Sequence, residues 1–364
     1  MPPLAVYVHI PFCPSKCGYC DFNSYAMQGD IVERTVEAIC QEIDSSPWRG
    51  RPAKTIFFGG GTPTYLDESQ LIRIFEKTLE VHPPLPDAEI TSEANPGTVD
   101  AAKFQAMRQA GFNRISLGAQ SFLDSDLLAL DRIHKAGDIE KAINAARQAG
   151  FDNVNIDLMF ALPNQSLFAW RKNLDRAFAL ETDHLSLYCL TIEPNTAFYK
   201  KNLKSELNLP DDEAQVTMYE ETCDRAAKHG FQQYEISNFA KPTRACRHNL
   251  CYWFGEEYAG YGPGAVGRVE TTRYTNLKHP ERYAQAIEAN EPLPFEREHL
   301  TEDTLRTERI MLGLRLNEGF SPEAIDPSKI AKMIERGWLQ NEPPKIKLTQ
   351  EGRHFCTEVA LELL

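Results

Sequence analysis

A chain of 364 residues, 42% of them hydrophobic, can bury a core large enough for one big domain plus a smaller one. Its 52 acidic residues outnumber 39 Lys plus Arg, and a formal charge of -13 argues against a broad phosphate-binding surface and so against nucleic acid as a partner. No basic leader and no run of 18 apolar residues is present, so neither secretion nor a membrane span is expected, and the nine cysteines, three clustered and six scattered, read as reduced thiols of a cytoplasmic protein.

In chain order, residues 4–10 read as a first apolar strand. It runs straight into Cys13, Cys17 and Cys20. Structural zinc takes four ligands and a disulfide takes two, so a tight trio suggests a cluster with one metal corner left open. Pro11, Pro14 and Gly18 make a wrapping loop, and Phe12 and Tyr19 can shield a cluster from water. Spacing alone leaves two alternatives: a zinc site completed by His9 or a distant cysteine, and reduced core thiols.

An amphipathic helix is predicted over 31–43. Residues 54–58 form a second strand ending in Gly59-Gly60-Gly61-Thr62-Pro63, and Asp67 caps the helix after it. Strand 88–94 with helix 99–109, strand 114–119 with helix 123–130, and strand 154–160 with helix 167–180 repeat the unit before a sixth strand at 184–190. The alternation predicts right-handed βαβ crossovers and a parallel sheet, hence an α/β fold with six units, a partial (β/α)6 TIM-like barrel. Chemistry in such sheets collects at the carboxyl ends of the strands. The cysteines follow strand one and the glycines strand two; Glu93 ends strand three, Gln120 ends strand four with Arg132 twelve residues on, and Asp157 lies in strand five. Singly, each polar residue is structural by default and a triple glycine is a tight turn. Their recurrence at one end of successive strands marks a site.

Beyond the sixth strand, 200–213 is a charged, exposed excursion before a long helix starting at 211 or 212 and reaching 229. Two segments then stand out, Tyr234-Glu-Ile-Ser-Asn-Phe-Ala and Cys246-Arg-His-Asn-Leu-Cys-Tyr-Trp253. The Gly-rich stretch 258–267 follows no clear strand and opens no helix, so a dinucleotide-binding reading fails. From Pro292 a separate unit is predicted: helix 301–316, a helix beginning at Ser321, a helix over 330–336, a hairpin within 338–348 and a final helix 349–363. That order suggests a winged-helix-like α+β domain, but acidic residues interspersed with the bases favour a lid or docking role. The expected domains are 1–195, 196–291 and 292–364.

Cys-x3-Cys-x2-Cys after an apolar strand is similar to the radical S-adenosylmethionine (SAM) superfamily. The flanks, Tyr7-x-His9-Ile-Pro-Phe-Cys13 and Asp21-Phe22, resemble the oxygen-independent coproporphyrinogen III oxidase family and its haem-chaperone branch, and further matches run to about Gly267. The resemblance implies that Cys13, Cys17 and Cys20 bind three irons of a 4Fe-4S cluster whose fourth iron chelates SAM, which is cleaved to methionine and a 5′-deoxyadenosyl radical. It implies cofactor contacts at Tyr7, Tyr19, Gly60, Gly61, Thr62, Glu93, Gln120, Arg132, Asp157, Cys189 and Val266.

His248-Asn249-x-x-Tyr252-Trp253 resembles the haem motif of that branch. Imidazole is a common haem-iron ligand and the aromatic rings offer flat surfaces to a porphyrin, although a lone histidine among aromatics is ordinarily a packed, hydrogen-bonded residue. Two departures from the oxidase pattern favour the chaperone: its fourth cysteine is replaced by Phe22, and only Met1 to Pro3 precede the first strand in place of a long arm. The reading is a haem chaperone with cluster, SAM and haem, served by a reducing electron donor and passing haem to an acceptor protein of a respiratory chain. The alternative is the oxidase itself, a radical decarboxylation in porphyrin biosynthesis.

Overall fold

The computed structural model describes residues 1–291, 296–323 and 325–364. Pro292, the expected start of the terminal unit, and Ala324, just after the expected helix start at Ser321, lie outside them. The main sheet is built from β1 (Leu4–Ile10), β2 (Ala53–Gly60), β3 (Pro84–Ala94), β4 (Arg114–Gln120), β5 (Val154–Phe160), β6 (His184–Cys189), β7 (Gln232–Glu235), β8 (Asn238–Ala240), β9 (Tyr258–Tyr261), β10 (Val266–Val269), β11 (Thr272–Thr275) and β12 (Glu296–His299). Its spatial order is β12-β11-β10-β9-β1-β2-β3-β4-β5-β6-β8-β7. The stretch from β9 through β1 to β6 is parallel throughout.

Because helices cover one face and core the other, these strands carry near-continuous apolar runs. In β1, Leu4, Val6, Val8 and Ile10 are fully buried. Each crossover helix buries a 3.6-period stripe; over Asp30–Asp44 the buried residues include Val32, Val36, Ile39, Cys40 and Ile43. The helices start where side chains satisfy their free amides: Asp100 accepts from Lys103 N, Ser166 from Ala169 N and Asp211 from Ala214 N. The result is the partial (β/α)6 barrel with antiparallel strands extending both edges.

Several local expectations are corrected. The predicted helix 123–130 is only Asp124–Ala129, and the crossover to β5 is made by a further helix, Ala136–Gln148, which the sequence reading left out. The Gly-rich stretch does lie among strands, because Tyr258–Tyr261 is itself β9, parallel to β1. No helix starts at Ser321; Asp326 caps a single helix over Pro327–Glu335. The final helix is split into a 3-10 turn, Gly352–Phe355, and Cys356–Leu363. The 3-10 turn starts at Gly352, where a Cβ would stand 1.9 Å from the Trp338 carbonyl oxygen.

Helices Glu302–Gly313, Pro327–Glu335 and Cys356–Leu363 pack with a hairpin, β13 (Leu339–Glu342) and β14 (Lys345–Leu348), around their own apolar cluster centred on Ile310, Phe320, Met333, Ile346 and Val359. This cluster rests on the barrel through polar contacts. Asn317 N donates to Tyr234 O at 2.9 Å, and Arg315 pairs with buried Glu235 at 3.1 Å while lying 4.5 Å over the Trp253 ring.

Candidate functional site

The carboxyl ends of β1 and β2 are locked together by backbone. Gly61 N donates to Ile10 O at 2.8 Å and Thr62 N to Phe12 O at 2.7 Å, so the glycine loop lies flat against the cysteine loop. Only glycine permits this. A Cβ at Gly60, whose φ is +107°, would sit 2.4 Å from the His9 ring, and one at Gly61 would sit 2.6 Å from Phe12 O.

Cys13, Cys17 and Cys20 line one small cavity of about 120 Å³ with Gly60, Gly61, Thr62 and Arg132. Cys13 Sγ lies 3.4 Å from Thr62 Oγ1. Arg132 donates from Nη1 to Cys17 Sγ at 3.6 Å and from Nη2 to Gly118 O at 2.6 Å, while its Nε is buried without a partner. Among the described residues no three His, Cys, Asp or Glu are gathered closely enough to hold a metal ion as placed; the trio shares a cavity wall. A wall of three thiols beside a fixed cation fits an iron–sulfur cluster in donor type, since thiolates are its usual ligands.

A second, larger cavity of about 600 Å³ runs down the barrel. Tyr19, Cys20, Phe22, Glu93, Ser116, Gln120 and Asp157 line both, so one opens onto the other. Tyr7 and Cys189 line the larger one, as do His248, Asn249 and Tyr252. Gln120 is aimed by strain: its φ is 64° and the β4–β5 pairing slips between Gly118 and Gln120. Of the residues read from sequence, Trp253 and Val266 line neither cavity. One residue beyond Tyr252 on a helix points roughly 100° away, and Trp253 faces Arg315 of the terminal unit; Val266 opens β10, beyond β9.

The two carboxylates between the cavities hold their protons unusually well. Burial, and then the Asp157 charge, push Glu93 up to about 8, while Gly60 N still donates to its Oε2 at 3.1 Å. Burial also raises Asp157, against hydrogen bonds from Asn155 Nδ2 at 2.7 Å and Ser116 Oγ at 3.3 Å.

From Asp157 a chain of hydrogen bonds crosses the floor of the large cavity. Asn155 Oδ1 lies 2.6 Å from His184 Nδ1, so Nδ1 donates and Nε2 accepts from Tyr234 OH at 2.9 Å. Asn249 Nδ2 in turn donates to Tyr234 OH at 3.2 Å. The helix carrying the motif, Arg247–Trp253, is held at its start by Glu89, which accepts from Arg247 N at 3.1 Å and His248 N at 3.0 Å. His248 is 1% exposed and stacked on Phe57 at 5.0 Å; its Nδ1 meets Thr55 Oγ1 at 2.8 Å and its Nε2 meets Tyr252 OH at 2.9 Å. Burial, with Arg114 and Lys54 nearby, pushes it down to about 3, so the imidazole is neutral. Arg114, Asn155, His184 and Tyr188 also line this cavity and were not singled out from sequence. The available signal for the first was its alternation in β4, which puts Arg114 on one face with Ser116 and Gln120 and opposite Ile115, Leu117 and Ala119.

The Radical SAM superfamily model matches residues 7–177. The chain is 38% identical to the heme chaperone HemW of Bacillus subtilis, over 98% of this chain and 97% of the relative, and 38% identical to the heme chaperone HemW of Escherichia coli, over 100% and 98%. Among solved structures it resembles the coproporphyrinogen III oxidase HemN of Escherichia coli, described as a radical SAM enzyme, with TM-score 0.86 and 24% identity over 100% of this chain and 90% of that one. The last likeness speaks to the fold.

Proposed function

The chain belongs to the radical SAM superfamily and, within it, to the family of the HemW heme chaperones, and from that premise we propose how its cavities serve haem handling. The protein is a haem chaperone: it binds a 4Fe-4S cluster, SAM and haem, and passes haem to an acceptor protein. The observation that carries the site assignment is the continuity of the two cavities, a thiol-lined one opening onto one large enough for a cofactor and lined by the His248 motif.

In this proposal Cys13, Cys17 and Cys20 hold the cluster, and Arg132 keeps a positive charge against Cys17. Cluster and SAM together supply one-electron reductive chemistry when bound. The Gly60-Gly61-Thr62 backbone would hold the amino acid end of SAM, with Tyr7, Tyr19, Gln120, Asp157 and Cys189 around it and Glu93 for its ribose hydroxyls. His248, Asn249 and Tyr252, on the larger cavity, would hold haem. Both His248 nitrogens are hydrogen-bonded, so iron ligation by His248 would require Tyr252 OH to release Nε2 or Thr55 Oγ1 to release Nδ1. Trp253 belongs instead to the seat of the terminal unit, and we read 1–195, 196–291 and 292–364 as core, extension and docking domain.

No helix among the described residues is long and apolar enough to cross a membrane. We place the protein in the reducing cytoplasm, with an electron donor and a respiratory-chain haem acceptor as partners. Transfer tests the function: reconstituted protein is loaded with haem without oxygen, desalted and mixed with an apo-haemoprotein. Movement of the Soret band to the acceptor is expected. Retention of haem, or decarboxylation of coproporphyrinogen III by the same preparation, contradicts it.

A further inference from the structure

Arg114 opens β4 and ends inside the barrel, 2% exposed, on the lining of the large cavity. Its Nε is buried without a hydrogen-bond partner, and among the described residues its guanidinium enters no side-chain hydrogen bond and no ion pair. The two carboxylates that bear on it from a distance are engaged elsewhere. Glu89 accepts from Arg247 N and His248 N, and Asp157 from Asn155 and Ser116.

A guanidinium stays protonated, so the chamber wall carries a fixed positive charge in every working condition. Glu89 and Asp157 balance part of that charge through space, but burying a guanidinium with its donors unpaired is still unfavourable, and chains tolerate it where something else accepts those hydrogen bonds. The planar fork matches a carboxylate in two parallel hydrogen bonds. The same lining carries the carboxylates Glu93 and Asp157, both raised toward the protonated acid, the neutral imidazoles of His184 and His248, and flat Phe57 and Tyr252.

We propose that Arg114 receives a carboxylate of the molecule that occupies the large cavity. The inference rests on the haem reading above. In that reading haem brings the group in its propionates, whereas the methionyl carboxylate of SAM is placed at Gly60-Gly61-Thr62, on the smaller cavity that Arg114 does not line, so SAM supplies the second arm of the test.

The test pairs each acid with an analogue lacking it, haem with haem dimethyl ester and SAM with decarboxylated SAM, on cluster-loaded wild type, Arg114→Met and Arg114→Lys. Binding is read by absorbance and by equilibrium dialysis. Wild type is expected to prefer haem over its ester by about tenfold or more, as charge-assisted hydrogen bonds allow. Arg114→Met loses that preference while binding the ester as wild type does, and Arg114→Lys keeps part of it. If the preference lost is the one between SAM and decarboxylated SAM, Arg114 still holds a carboxylate, and it belongs to SAM. Wild type that distinguishes neither acid from its analogue overturns the proposal without recourse to a variant, as does Arg114→Met with unchanged affinity for both acids. Wild type that binds no haem sinks the haem reading, and Arg114 is then judged on the SAM pair.

Discussion

Cys17 accepts from Arg132, whose only other side-chain hydrogen bond among the described residues goes to Gly118 O. A site with three thiol donors has none to spare, so Cys17→Ser is expected to abolish the brown iron–sulfur absorbance of anaerobically reconstituted protein. Unchanged iron content in that variant refutes the cluster assignment. His248 gives a prediction in pH. Its imidazole, pushed down to about 3 chiefly by burial, is already neutral above that value, so haem affinity should not change through its titration between pH 5 and 8. A rise across pH 6 to 7 present in wild type and lost in His248→Ala speaks against this. The cysteines, Glu93 and Gln120 were legible because they fall at or just past the carboxyl ends of successive strands, and Asp157 because a carboxylate inside the largely apolar run Val154–Phe160 has no packing reason to be there. Arg114 and His184 were not. They stand at the amino ends of β4 and β6, where the barrel rule places no chemistry, and only the depth of the cavity brings them to the ligand.

Between elements, Glu42 ties its helix to three groups that follow it by 220 to 241 residues in sequence. From the helix Asp30–Asp44 it accepts from Gly262 N at 2.7 Å, Asn276 Nδ2 at 2.6 Å and Tyr283 OH at 2.5 Å. Burial pushes its pKa up to about 7 against those hydrogen bonds, from an ordinary value of 4.5. A folded value above the unfolded one means that the folded state binds the proton more tightly. Its contribution is therefore full below pH 4.5 and lost as pH rises to 7, by about 3 kcal/mol. Glu42→Gln should remove that decline; urea midpoints measured from pH 4.5 to 7.5 check it, and parallel curves for variant and wild type reject it. Gly60→Ala forces both φ +107° and a clash with His9, so a loss of about 1–3 kcal/mol and of SAM binding is expected by chemical denaturation and dialysis. Helix Ala136–Gln148 was missed because its stripe follows an irregular turn through Asp131, whose φ is 57°, and Asp124–Ala129 absorbed the unit's helix signal.

Across the whole molecule, six strand–helix units announced the barrel, since each is a local pattern that repeats. The sheet's edges were silent. β7 to β12 are only three or four residues long, too short for a period, and β9 finds its place beside β1 across some 250 residues of sequence. The terminal unit was legible as helices and a hairpin, but its seat was not, because Arg315, Glu235 and Trp253 meet only in three dimensions. Glu235 is 1% exposed and keeps Ser237 N and Asn238 Nδ2 when Arg315 is removed. Arg315→Ala is therefore expected to weaken docking by about 1–3 kcal/mol, seen as faster amide exchange over 302–363 with β1 to β6 unchanged. Uniform exchange rates in variant and wild type contradict that seat.

Whether this radical SAM barrel carries haem is decided by an anaerobic haem titration of cluster-reconstituted wild type, followed in the Soret band. One saturating equivalent, weakened in Arg114→Met or His248→Ala, is the predicted result. A spectrum that remains that of free haem at every ratio contradicts the account.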